Sequence, residues 1–389
     1  MPSDFPQIAS SYVEELRARG REIDAKRSVP QDIADRLAQE GFYRLCTPTE
    51  LGGVGAEPRV LAEVCETLAA GNASTAWCVF IGATSQYMFP AVGPQLLSKL
   101  LEQPNVITSG VFAYSGTATR ALDQPDHWII DGRWDWGSGC RNATWISGGV
   151  ILCDETGEPI RDSNDRPTEA RAFFRPNEIE ILDNWHTSGL RGSGSSSYTT
   201  HALELADYRV ATVEALRSSP FAKLPIYRFP RFGFLALPIG AIALGMARDS
   251  IDEALDVAKS KTPTGSDRTL SSRPAFHRDV ALADSSLRAA RSAFYEDIAT
   301  AWEEAQNGVG SLETRRLLRT STVHAVTTAM NIVDSMYTTV GGSSVYEESA
   351  LQRHFRDIHV ASQHMMVAEP VMELAGRVIS GIDDDAPGL

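Results

Sequence analysis

The spacing of apolar residues in this chain changes twice, and that limits the folds open to it. From Ser10 to about Gln103 apolar residues recur at helical intervals, as in VPQDIADRLAQEGFYRL and VLAEVCETLAAGNASTAWCVFIGATSQYMF, where side chains three and four apart share one face. From about Val106 to Val213 short β-type runs take over: NVITSGVF, HWIIDGRWDW, TWISGGVILC, EARAFFR and YTTHALELADYRV, broken by Gly, Asp, Asn and Pro. From about Phe229 to Gly381 long amphipathic stretches return, such as ALADSSLRAARSAFYEDIATAWEEAQ and RLLRTSTVHAVTTAMNIVDSMYTTV. The pattern predicts a mainly α protein with a central β domain, divided as an N-terminal helical domain over 1–105, a β domain over 106–215 and a helical bundle over 216–389.

Composition narrows the partners. The formal charge of -14 sets most of the surface against nucleic acid or an anionic membrane, so neither is expected. The most apolar run, FLALPIGAIALGMA at 234–247, is shorter than the roughly 20 residues a span requires and contains Pro238. It reads as a buried helix. Five cysteines without a CxxC pair and a polar, charged N-terminus fit a reducing compartment, and the cytoplasm is the expected location.

Four segments carry candidate chemistry. In IIDGRWDWGSGCRNATW (129–145) a strand runs into a loop with Trp136 and Ser138, and the plain reading is a hairpin with aromatic core residues. WHTSGLRGSGSSSYTT (185–200) sets one arginine among small residues. Gly192 and Gly194 permit close backbone approach there, while Arg191, Ser193 and Ser195 offer donors to an anion. VFAYSGTAT (111–119) is a strand entering a turn, whose Phe112 and Ala113 N–H groups can address a ligand without special side chains. GGSSVYEESALQRHFRDIHVASQH (341–364) offers Glu348 as a carboxylate base, or His359 and His364 as proton-handling imidazoles. The two histidines are five residues apart, about 140° around a helix, which does not suit a metal pair. No metal is expected.

Together these segments resemble the acyl-CoA dehydrogenase superfamily, from the N-terminal helices to about Gly381. Asp131, Gly132, Trp136, Ser138, Ala143 and Trp145 match its flavin loop without a gap, and GLRGSGS and the Gly341-Gly342 pair match two further elements. The resemblance implies the three-part architecture with a small β barrel or sandwich and a C-terminal four-helix bundle. It also implies a flavin lying between the β domain and the bundle. Trp136 would pack near the isoalloxazine, the Ser138 hydroxyl would lie near N5, and Phe112, Ala113, Arg191, Ser193, Ser195, Gly341 and Gly342 would complete the cofactor site.

Within the superfamily, Glu348 stands at the offset from Gly342 that dehydrogenases use for their base. Tyr346, Leu351, Gln352, Arg353, Arg356, Asp357, His359 and His364 instead match the monooxygenase branch. The resemblance to that branch implies the oxygenase component of a two-component system: reduced FMN or FAD arrives from a separate NAD(P)H-dependent flavin reductase and reacts with oxygen to a C4a-hydroperoxide. A small aromatic or heteroaromatic substrate is then oxygenated. His364 would act on the peroxide proton with His359 in support, Ser138 would steady N5, and Trp77, Ser85, Tyr87 and Tyr114 would line the substrate pocket. Ala83, Thr84 and Ser85 stand where many members place a phenol-deprotonating histidine, so the substrates considered are an indole, thioether, amine or polycyclic ketone. A homotetramer is expected from the family's use of its C-terminal bundle as subunit interface. Two alternatives stay open: an acyl-CoA dehydrogenase with Glu348 as α-proton base, and a non-catalytic flavin-binding oligomer.

Overall fold

The computed structural model describes residues 4–103 and 105–389. Six helices come first: α1 (Phe5–Ala18), α2 (Gly20–Lys26), α3 (Gln31–Gln39), α4 (Pro58–Gly71), α5 (Ala73–Ser85) and α6 (Pro94–Leu100). Seven strands follow: β1 (Thr108–Arg120), β2 (His127–Trp134), β3 (Trp145–Cys153), β4 (Glu169–Phe174), β5 (Glu180–Ile181), β6 (Tyr198–Ala206) and β7 (Val210–Thr212). The short α7 (Val213–Ser218) and α8 (Pro225–Arg228) lead into α9 (Arg231–Ser260), α10 (Pro274–Asn307), α11 (Leu312–Val340), α12 (Ala350–Ala361) and α13 (Glu369–Ile379).

Side chains that satisfy otherwise unpaired backbone donors start the important helices. Asn72 accepts from the Thr75 N–H at the start of α5, Ser311 from Thr314 at α11, and Ser349 from Leu351 at α12. The apolar helix α9 is core: it packs on α4, α10 and α11, and its residues from Gly233 to Ala247 are buried. Gly245 explains how closely α4 and α9 approach, because a Cβ there would lie 2.1 Å from the Glu66 carbonyl oxygen. No larger residue fits without moving a helix.

The β region is one mixed sheet in the order β5-β6-β2-β1-β3-β4-β7, with β1 and β3 parallel and the other neighbours antiparallel. Its core is the Trp134 ring, fully buried and stacked on Tyr198 at 5.4 Å with Phe174 at 5.3 Å. The indole N–H donates to the Gly149 carbonyl at 2.8 Å. Gly148 makes room for the ring, since a Cβ there would sit 2.3 Å from it. Tyr198 then donates to the Ser147 carbonyl at 2.6 Å and accepts from the Val111 N–H at 3.1 Å. That contact pins β1 where its pairing with β3 breaks: the register runs Val111 with Gly148, then Gly116 with Val150. Residues 112–115 bulge away from the ladder.

Trp134→Ala is therefore expected to destabilise the protein by about 3–5 kcal/mol, the range for removing a large buried aromatic. Urea unfolding measures it; a loss under about 1 kcal/mol would show that the sheet does not depend on this ring.

Candidate active site

Helix α5 positions the site. Trp77 and Cys78 project from it onto the two loops that follow β2 and β5. The Trp77 indole N–H donates to Ser138 Oγ at 3.1 Å, and Cys78 Sγ lies 3.6 Å from the Ser193 carbonyl. Ser138 Oγ is 2.6 Å from Ser195 Oγ, Ser195 Oγ is 2.7 Å from Ser193 Oγ, and Ser193 donates to the Leu190 carbonyl at 2.7 Å. All four side chains of this chain are buried.

The direction of the protons follows from counting. Each serine has one hydrogen. Ser193 uses its own on Leu190, so Ser195 must donate to Ser193, and Ser138 must donate to Ser195. Ser138 already accepts from Trp77. What remains on Ser138 is an acceptor lone pair, suited to a ligand N–H and unsuited to a ligand carbonyl.

The other expected residues divide into those that join this chain and those that do not. His364 joins it: its ring packs edge-on against Trp77 with centroids 5.8 Å apart. It lies beyond the end of α12 and caps the next turn, Nδ1 accepting from the Met366 N–H at 3.2 Å. The neutral ring therefore carries its hydrogen on Nε2. Burial, reinforced by the nearby Arg319 charge, lowers its pKa from 6.5 to about 4. His364 is a neutral N–H donor at physiological pH. Arg319 is itself buried and donates to the Met366 carbonyl at 2.7 Å. His359 faces elsewhere, bonding Asp334 of α11 at 3.0 Å and packing on Phe355.

Trp136 is 75% exposed and stands at φ +63°, whereas its neighbours Trp134 and Trp145 are buried. Ser193 and Ser195 meet Ser138, but Arg191 turns away, donating to the Thr187 and Asp24 carbonyls. Gly341 and Gly342 end α11 at the surface, away from the serines. Glu348 is solvent-exposed and paired with Arg21 at 3.1 Å, a poor setting for a base that must be desolvated.

Phe112 and Ala113 lie in the β1 bulge, where their backbone has no strand partner. Phe112 is covered by the Arg171 guanidinium, 3.9 Å above its ring. Arg171 is fully enclosed, hydrogen-bonded to Ser147 Oγ at 3.0 Å, and burial lowers its pKa to about 10. Tyr87 packs on Tyr227 and Phe234, beside a small void of about 10 Å³. Ser85 Oγ and Gln86 Nε2 are buried without partners among the described residues. Arg231, at the start of α9, bears electrostatically on Tyr87, Tyr114 and Arg171 together, and its Nε is buried with no partner among the described residues. Arg171 and Arg231 were not anticipated from sequence. The available signal was an arginine inside the apolar strand run EARAFFR and another opening the apolar helix.

The arrangement fits a reduced flavin on three observations: a buried hydroxyl with only acceptor capacity left, a β1 bulge whose backbone leaves the ladder, and polar atoms buried on the α5 side without partners among the described residues. Comparisons with known proteins agree. Residues 7–93 match the acyl-CoA dehydrogenase N-terminal domain and residues 237–369 the acyl-CoA dehydrogenase C-terminal domain. The chain is 28% identical over 370 residues to indole-3-acetate monooxygenase from Pseudomonas putida, covering 94% of this chain and 90% of that one. It is 25% identical over 369 residues to the oxygenase subunit of a flavin-dependent monooxygenase from Rhodococcus jostii, covering 90% and 91%. A Streptomyces protein solved with FADH2 and glycerol superposes with a TM-score of 0.88 at 22% identity, covering 99% of this chain and 97% of that one.

Acidification from pH 6.5 to 4 is expected to destabilise the fold through His364, because the unfolded ring takes up a proton in that window and the folded ring does not. Replacing it by Gln should remove on the order of 2 kcal/mol of the stability lost between pH 7 and pH 4.5. Equal losses in urea titrations of both proteins would show that His364 is not held neutral.

Proposed function

Because this chain belongs to the acyl-CoA dehydrogenase superfamily, in its branch of two-component flavin-dependent monooxygenases, we infer how its own residues run the oxygenase half-reaction. The protein is an oxygenase component: a separate reductase supplies reduced flavin, and the substrate is a small aromatic molecule. The observation that carries the mechanism is the proton order of the serine chain. When bound, reduced flavin supplies the two electrons that split dioxygen, placing one oxygen atom on the substrate and releasing the other as water.

Ser138, left with only an acceptor lone pair, would hold the N5–H that distinguishes reduced from oxidised flavin, and so would favour the form delivered by the reductase. Trp77, Ser195 and Ser193 hold that hydroxyl in place and keep water from its lone pair. The 112–115 bulge presents backbone groups to the polar end of the ring system. His364 holds a proton at Nε2 beside Trp77 and remains uncharged, so it supports the transferred oxygen as a hydrogen-bond donor without adding a charge to the pocket. The exposed, ion-paired Glu348 gives no support to an acyl-CoA dehydrogenase reading.

A finer reading of the substrate rests on the cations. Arg231 and the buried Arg171 stand near Tyr87 and Tyr114 with no carboxylate bonded to either guanidinium. Arg231 is partly buried, with its Nε enclosed and without a partner among the described residues, and it would pair with the carboxylate of an aromatic acid whose ring sits among Trp77, Tyr87 and Phe112. The indole-3-acetate relative acts on such an acid. We further propose a cytoplasmic homotetramer: Met365, Ile379 and Ile382 leave apolar surface exposed around α13, which a second copy would cover.

Two outcomes test the mechanism. His364→Ala should lower product formation by about 100-fold while hydrogen peroxide release rises, measured with reduced FMN or FAD in oxygenated buffer; unchanged product yield removes His364 from the chemistry. Arg231→Gln should raise KM for an arylacetate about tenfold and leave KM for the corresponding neutral arene unchanged. Equal effects on both substrates would reject the carboxylate assignment.

A further inference from the structure

A second cavity, of about 710 Å³, opens between α2, the 187–191 loop and α12. The 190–195 loop joins it to the serine chain: Ser195 Oγ meets Ser138 and Ser193 Oγ meets Ser195, while Arg191 of the same loop lines this cavity. Its size suits a small organic ligand.

The charges in it do not cancel. Glu22 is engaged by Arg19 at 2.8 Å and Lys26 at 2.8 Å. Asp24 pairs with Arg356 at 3.2 Å, and Glu347 with Arg21 at 3.3 Å. Two guanidinium groups are left over. Arg191 bonds only backbone carbonyls, those of Thr187 and Asp24. Arg353 is 5% exposed, its Nε is buried without a partner, and it makes no hydrogen bond or ion pair among the described residues. The Arg353 guanidinium is packed onto Gly20, where a Cβ would lie 1.8 Å from Nη1. An enclosed, unpaired guanidinium is among the most costly groups a fold can carry. In a chain of net charge -14, Arg353 and the carboxylate-free Arg191 together make this cavity locally positive.

We propose that this cavity binds the phosphate or diphosphate group of a small ligand, held by the forked donors of Arg353 and Arg191. Planar guanidinium groups suit tetrahedral phosphate oxygens, and two of them match a dianion. Such a ligand would also brace the flavin loop, because Arg191 sits one turn from the serines that hold Ser138. Two sources share this chemistry: the flavin's own phosphate tail and a separate phosphate-bearing metabolite.

The test is calorimetric titration of inorganic pyrophosphate into the full chain in low-salt, phosphate-free buffer. One site per chain is expected, weakened about tenfold by Arg353→Gln and by Arg191→Gln. Glu347→Gln, which removes a lining carboxylate and leaves Arg21 paired only with Glu348, should tighten it about threefold. Circular dichroism checks folding of the Arg353 variant, and the more exposed Arg191 and Glu347 variants keep the test decisive if that one does not fold. Repeating the titration with anaerobic reduced FMN separates the sources: competition assigns the site to the flavin tail, and simultaneous binding assigns it to a separate ligand. Absence of pyrophosphate binding overturns the proposal. So does binding that is indifferent to Arg191 and Glu347, and so does a change in oligomeric state in the Arg353 variant without loss of anion affinity, since the counter-charge would then come from a second copy.

Discussion

One hydrogen-bonded chain ties the three parts of this protein together. It starts at the Trp77 indole on α5, passes through Ser138, Ser195 and Ser193, and ends on the Leu190 carbonyl. The Leu190 N–H in turn donates to Asp357 of α12 at 2.6 Å. A helix of the N-terminal domain, two loops of the sheet and a helix of the bundle thus share one buried polar path. Buried hydroxyls are tolerated only when each hydrogen has a destination, so the path has a direction, and that direction leaves Ser138 as an acceptor. A ligand N–H brought to that position would therefore find an acceptor set by packing, without a charged group there.

Electrostatics around the path follow a second logic. His364 is kept neutral by burial and by Arg319, so the pocket gains an N–H donor without a titrating charge. Cations are instead placed at the margins: Arg171 and Arg231 on the side of Tyr87 and Tyr114, and Arg191 and Arg353 behind the flavin loop. In an acidic protein these guanidinium groups stand without a bonded carboxylate among the described residues.

Much of this was legible before any coordinate. The two changes of apolar period correspond to the change from helices to strands near Thr108 and back near Val213, because burial periodicity is a local property of each element. The surroundings of Trp136 show the limit of periodicity. Trp134 and Trp136 are two apart, and alternation would put both on one face, but the strand ends at Trp134 and a left-handed backbone at Trp136 turns that ring to solvent. His359 and His364 were read on one helix; α12 ends at Ala361, so their relation is set by a turn instead of a 100° step. Arg191 lies two residues from Ser193 yet faces the opposite side of its loop, which no spacing rule for irregular backbone supplies.

By itself the sequence determined the order of helical, β and helical segments, which depends on local periodicity, and it singled out Ser138, Ser193, Ser195 and His364 by residue type at motif spacing, which the structure brings together around Trp77. Only the tertiary structure decided the state of those residues. The proton order of the serines depends on Trp77 and Leu190, which lie 61 and 52 positions from Ser138 along the chain. The charge of His364 depends on Arg319 and on burial, and the pairing of each arginine depends on which carboxylates the fold brings within reach. Hydrogen-bond direction and ionisation are properties of a surrounding assembled from distant segments, and such a surrounding exists only once the chain has packed.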